Sequence, residues 1–181
     1  MKKLLSIVLA MLMAVCVFSA CGSKDGAEGG EKASAAKDET YSTGAFSVTV
    51  PGGWKAFPVA DVFAEEENAI KDTCLQICKG GQNEFDLFSK PYIQIDYYGP
   101  GSSLMTPSKD WYDEAEDIAP ITAGNYTWTG FTAEVLDNTV AFLWTAEGEH
   151  QYQASVYLDA ADESITIDDE GFLKILGSVN P

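Results

Sequence analysis

From Tyr41 onward, apolar and polar residues alternate with a period of two, as they do in strands that bury one face. Phe46-Ser-Val-Thr-Val50 is the first such run, and Pro51-Gly52-Gly53 ends it just before Trp54. Thr73-Cys-Leu-Gln-Ile-Cys-Lys79 sets Leu75 and Ile77 against Cys74, Gln76 and Cys78. It reads as a strand closed by Gly80-Gly81; the rival reading is one helix from Asp61 to Lys79 stopped by Gly80. Gln82 to Lys90 reads as a loop, and Pro91-Tyr-Ile-Gln-Ile-Asp-Tyr97 as a strand with Ile93 and Ile95 turned to the core. The second half predicts a meander. Gly124 to Val135 holds Tyr126, Trp128 and Phe131, with Gly130 expected as a bulge that switches the facing side. Asp137-Asn138 turns the chain into a strand from Thr139 to Ala146, and a second turn leads into one from His150 to Asp159.

The period lengthens in three places, where helices are expected. Asp61 is a fair N-cap for a short helix through Glu67. Ser108 would cap a second, bearing Trp111 and Tyr112 and a polar face of Asp113, Glu114, Glu116 and Asp117, that ends before Pro120. Asp168 would cap the last, with Phe172, Leu173, Leu176 and Val179 as its buried stripe.

The start of the chain follows another rule. Lys2 and Lys3 precede an apolar run from Leu4 to Phe18, about the length of a signal-peptide core and short for a spanning helix. Phe18-Ser19-Ala20-Cys21 follows, and these residues resemble a lipobox, with Ser19 and Ala20 in its small positions and Phe18 where the pattern usually has Leu. The resemblance implies a bacterial lipoprotein, cleaved before Cys21, whose thiol receives diacylglycerol. Residues 1–20 then form the signal peptide, and residues 21–40 the lipidated cysteine and a linker rich in Gly, Ala, Ser, Lys and Glu. Such a composition buries too little apolar area to offset its ordering entropy. As a flexible coil it spans about 25 Å. Residues 41–181 are expected to be a single globular domain.

The strand that ends in Pro-Gly-Gly-Trp resembles the opening of the PsbP-like family, on Phe46, Val48, Pro51, Trp54 and the closing helix. That family's antiparallel sheet is sandwiched by helices. The implied class is α+β, an antiparallel β-sheet packed with helices in an α/β/α sandwich.

Charge narrows the partners. The chain carries 28 carboxylates and a net charge of −17, and it has no arginine. Such a surface repels phosphate backbones and anionic lipid, which excludes nucleic acid. Without arginine there is no bidentate clamp for carboxylate or phosphate, which disfavours nucleotide and phospho-sugar chemistry.

Candidate chemistry is sparse. His150 is the sole histidine, beside a turn, and no G-x-S-x-G elbow accompanies it. Cys74 and Cys78 lack the C-x-x-C spacing, and in a strand they stand about 13 Å apart, too far for a disulfide. With His150 they could form a zinc set; as buried small hydrophobes they would be inert. The acidic runs lack EF-hand spacing and read as solvated faces. No metal or other cofactor is expected. The Gly/Pro-rich stretch from Tyr97 to Tyr112 is long, and long loops beside rigid strands often carry function. Tyr97, Tyr98, Trp111 and Tyr112 are the candidate ligand-binding residues. Two readings stand for them: anchors of a binding surface, or rings that pack the loop onto the sheet.

The expected function is a non-enzymatic binding or accessory module, lipid-anchored through Cys21 on the outer face of the bacterial cytoplasmic membrane. Its acidity suits a neutral or cationic ligand or protein partner. The alternative is an extracytoplasmic hydrolase acting on glycans through a carboxylate pair.

Overall fold

The computed structural model describes residues 37–146, 148–160 and 163–181. The signal peptide, Cys21 and nearly all of the linker lie outside them. The described chain is mainly β. β1 (Glu39–Ser42) and β2 (Ser47–Val50) form an antiparallel hairpin. The strands β3 (Trp54–Ala60), β4 (Ile70–Lys79), β5 (Tyr92–Tyr98), β6 (Asp113–Ala123), β7 (Tyr126–Val135), β8 (Asn138–Thr145) and β9 (Gln151–Tyr157) make one sheet. Their spatial order is β3-β4-β5-β9-β8-β7-β6, antiparallel throughout. The described residues hold one α-helix, α1 (Glu170–Ser178).

One face of the sheet carries the hairpin and the helix. Leu75 and Ile77, Ile93 and Ile95, Ala154 and Val156, Ala141 and Leu143 all point to that side and are buried to within 1 % of full exclusion. They meet Phe46, Val48 and Val50 of the hairpin and Phe172, Ile175 and Leu176 of α1 in a single core. Burying each of these large side chains contributes about 1.5–3 kcal/mol, which offsets the helix propensity lost at Gly171. That glycine has its own reason: a Cβ there would stand 2.7 Å from Trp54 Nε1. The cap of α1 is Asp169, one residue later than the sequence pattern placed it. Its carboxylate accepts from the N–H groups of Gly171 and Phe172 and pairs with Lys79 at 2.6 Å. Burial opposes its ionisation, but Lys79 and the two amides outweigh that and hold it below the ordinary carboxylate range.

Two expected helices are absent. Ser108 does cap a turn, accepting from Asp110 N, but only a 3-10 turn over Lys109–Trp111; the chain then becomes β6. Pro120 is tolerated there because β6 is an edge strand whose outer side needs no donor. Asp61 to Glu67 is a turn in which Asp61 accepts from Phe63 N at 3.0 Å, a local side-chain bond that competes with helix. The strand reading of Thr73 to Lys79 is the one that forms. The stretch from Gln82 to Lys90 contains a 3-10 turn, Glu84–Phe88, closed by a capping box between Asn83 and Asp86. The bulge expected at Gly130 lies instead across from it, in β6 between Ile118 and Ile121, and β7 keeps its alternation. Gly130 is required because a Cβ would stand 1.9 Å from the Phe142 carbonyl. The β7–β8 turn is Leu136-Asp137, both at positive φ, rather than Asp137-Asn138.

Both edges are protected against pairing with another chain. β3 contains Pro58 and a register shift; β6 contains Pro120, two register shifts and four acidic residues.

Candidate functional site

Among the described residues, the face of the sheet away from α1 is covered only at its margins. The order of the strands explains one of those margins. β5 is third in the sheet and β6 is the far edge, so the connection from Gly99 to Tyr112 must cross the outer face of β9, β8 and β7. It packs there: Tyr112 lies 4.7 Å from the Phe142 ring and 5.8 Å from Phe131. These rings, with Ala133 and Val140, form a small second cluster. The crossing leaves an open pocket of about 670 Å³ lined by Ser102, Ser103, Leu104, Trp144 and Gln151, among others. At the opposite end Leu87 and Phe88 stand beside Phe57, Gln76 and Tyr92 around a smaller pocket of about 370 Å³.

Between these margins, register aligns the outward side chains of adjacent strands. One row runs Phe57, Gln76, Gln94, Ser155, Phe142, each opposite the next. The neighbouring row on one side has Cys78, Tyr92, Tyr157 and Val140; on the other it has Cys74, Asp96, Gln153 and Trp144. The middle is therefore an amide-rich island framed by rings. Gln76 Nε2 donates to Gln94 Oε1 at 3.1 Å, and Gln94 Nε2 donates to Asp96 Oδ2 at 3.0 Å. Lys71 Nζ reaches Asp96 Oδ1 at 3.5 Å. This chain fixes the amide orientations and neutralises the carboxylate at its end. Tyr92 and Tyr157 stack at 4.4 Å with their planes 13° apart. Burial, then the Tyr157 hydroxyl beside it, pushes the Tyr92 phenol up from its ordinary value.

The two thiols lie on this face without chemical promise. Both are free and buried. Burial, followed by Asp96, pushes Cys74 up to about 12; burial, followed by Asp86, pushes Cys78 up to about 11. A thiol that stays protonated at neutral pH is a poor nucleophile and a poor ligand. Among the described residues no three His, Cys, Asp or Glu side chains converge on a point that could hold a metal ion.

The four rings singled out from the sequence do not share one surface. Tyr97 and Tyr98 alternate to opposite faces. Tyr97 turns to the core side, 5.2 Å from Tyr152 and 5.9 Å from Phe46, and its hydroxyl meets His150 Nδ1 at 2.6 Å. His150 is thus a half-buried partner of Tyr97. Tyr98 sits half-buried on the outer face, where burial, and after it the Asp96 carboxylate, raises its phenol. Tyr112 packs the crossing, and Trp111 is exposed at 64 %. The residues of the island were missed because they occupy the polar positions of well-formed strands, which ordinarily mean solvent. The available signal was their kind: Gln76, Gln94 and Gln153 are uncharged in a strongly acidic chain.

No family profile matches the chain, and no curated protein does. Among solved structures, a crystal structure of a protein from Bacteroides thetaiotaomicron is similar over 81 % of this chain and 48 % of that one. The identity is 11 % and the TM-score 0.43. This chain thus spans about half the length of that protein, and at that score the likeness carries no argument here.

Proposed function

We propose that the protein is a non-enzymatic binding module, lipid-anchored through Cys21 outside the bacterial cytoplasmic membrane, and that its ligand surface is the outer face of the sheet. The observation behind this is the distribution of cover. The hairpin and α1 take one face, and the middle of the other keeps an ordered amide row with no described element over it. Its chain enters from the covered side, where Asp38 accepts from Gly52 N and from Lys174 Nζ of α1. The hydrolase reading asks for two carboxyl groups about 5–9 Å apart. On β5, β8 and β9 the outward side chains include one carboxylate, Asp96, held by Lys71 and Gln94.

Kinship with the PsbP-like family belongs to the same proposal. Its support is that Phe46 and Val48 are core residues and that Pro51 begins the turn into β3 at Trp54.

The test has two parts. Partition of the expressed precursor and a Cys21→Ala variant into detergent should carry only the former into the lipid phase. Protein and glycan fractions of the cell envelope are then immobilised separately and offered to wild type and to a Gln94→Lys variant. Retention on one fraction that the variant loses supports the module; equal retention of both proteins on every fraction overturns the assignment of this face.

A further inference from the structure

We infer that the ligand of the outer face is a neutral oligosaccharide lying across the strands along the row Gln76, Gln94, Ser155. The inference rests on the proposed use of this face and names its ligand class. Charge speaks first. In a chain of net charge −17 the outward residues of β5 and β9 include a single carboxylate, Asp96, and Lys71 compensates it. A patch held neutral amid an acidic surface offers a cation no close charge partner and does not repel an uncharged ligand. The functional groups follow the same line. Side-chain amides and a serine hydroxyl both donate and accept, as sugar hydroxyls require, and they do so without a charge to desolvate.

Preorganisation comes from the internal bonds. Gln94 is held from both sides, by Gln76 and by Asp96, so its amide is oriented before any ligand arrives. Less rotamer entropy is then lost on binding. Gln76 keeps its carbonyl oxygen, and Ser155 its hydroxyl, for a partner. From Gln76 on β4 to Phe142 on β8 the row crosses three strand spacings, about 14 Å. That is an extended site, suited to a chain of sugars and too long for one. Rings bound it at both ends, Phe57 at the first and Phe142 at the last, with Trp144 in the adjacent row. Phe57 and Phe142 are buried, so of these rings the half-buried Trp144 is the one open to the apolar face of a sugar. A protein partner fits this surface less well, because a protein interface concentrates its apolar anchors at the centre and its polar groups at the rim. Here the order is reversed.

Calorimetric titration of the detergent-solubilised lipoprotein tests this with four neutral probes, cellohexaose, laminarihexaose, mannohexaose and chitohexaose. Two counter-probes accompany them, an anionic oligogalacturonate and a lysine-rich peptide. At least one neutral probe should bind saturably, with affinity falling about tenfold or more in Gln94→Leu and in Ser155→Val, the loss expected of one well-placed hydrogen bond. Circular dichroism melts of both variants should match wild type, since neither side chain is in the core. Binding of the peptide or the oligogalacturonate alone overturns the inference while leaving the face as a binding surface. A dimer in sedimentation that Gln94→Lys disperses makes the face a self-interface and overturns it too. Binding of no probe, or binding indifferent to both substitutions, also refutes it. Envelope-fraction retention independent of Gln94 refutes the underlying assignment instead.

Discussion

Tyr152 carries a hydroxyl that the fold does not use. Its residue is fully excluded from solvent, and neither its oxygen nor Trp128 Nε1 meets hydrogen-bond geometry with any described group. Tyr126 stands beside it, and after burial its hydroxyl is the next cause that raises the Tyr152 phenol. An unsatisfied buried polar group costs about 1–3 kcal/mol. Replacing Tyr152 with Phe removes that group and keeps the ring, so its packing against Phe46, Tyr97, Tyr126 and Trp128 is retained. The loss is the dispersion of one oxygen, a few contacts of about 0.1–0.2 kcal/mol each. The balance favours the variant by about 1 kcal/mol. Urea unfolding followed by far-ultraviolet circular dichroism measures it: the midpoint should rise by about 0.5 M at unchanged slope, taking a slope near 2 kcal/mol/M. A variant less stable than wild type by 1 kcal/mol or more would mean that the hydroxyl has a partner. Tyr126→Phe then identifies it, since equal losses in the two single variants and no further loss in the double place the bond between them.

Three other outcomes follow from packing and charge. Gly124 has φ +57 and a Cβ would meet the Gly177 carbonyl at 2.0 Å, so Gly124→Ala should cost about 3 kcal/mol in the same unfolding assay. Cys74 and Cys78 should not react with a disulfide reagent at pH 8 in the native protein, and both should react after denaturation, because burial keeps them protonated. Asp169 has its folded pKa below the ordinary value, so its stabilisation is present above about pH 4, the unfolded value, and fades as pH falls through the folded one. Asp169→Ala should cost about 1–2 kcal/mol at pH 7, and the gap to wild type should narrow by pH 2.

Much of the sheet was legible in the sequence because strands that bury one face advertise it every second residue. Leu75 and Ile77, and Ile93 and Ile95, kept the side that the pattern assigned them, whereas β7 has no switch at Gly130 and sets Trp128 and Phe131 on opposite faces. The helix expected after Ser108 failed because Asp113, Glu114, Glu116 and Asp117 fit the polar face of a helix as well as they fit an edge strand bent by two register shifts. Only tertiary pairing with β7 decides between them. The site was harder to see. Gln76, Gln94 and Ser155 are far apart in sequence, and each alone is an unremarked polar position. Their alignment is a property of strand order, with β9 inserted between β5 and β8, and no local pattern encodes that order.

The central claim, that the ligand lies on the outer face of the sheet, is tested most directly by the side-chain amide signals of glutamine in two-dimensional nuclear magnetic resonance. The retained envelope fraction is titrated into labelled protein. The account expects the amides of Gln76, Gln94 and Gln153 to shift together with the backbone of β5 and β9, while α1 and the β1–β2 hairpin stay unmoved. Shifts centred on α1, on the hairpin or on the β6 edge, with those glutamine amides unchanged, would contradict it.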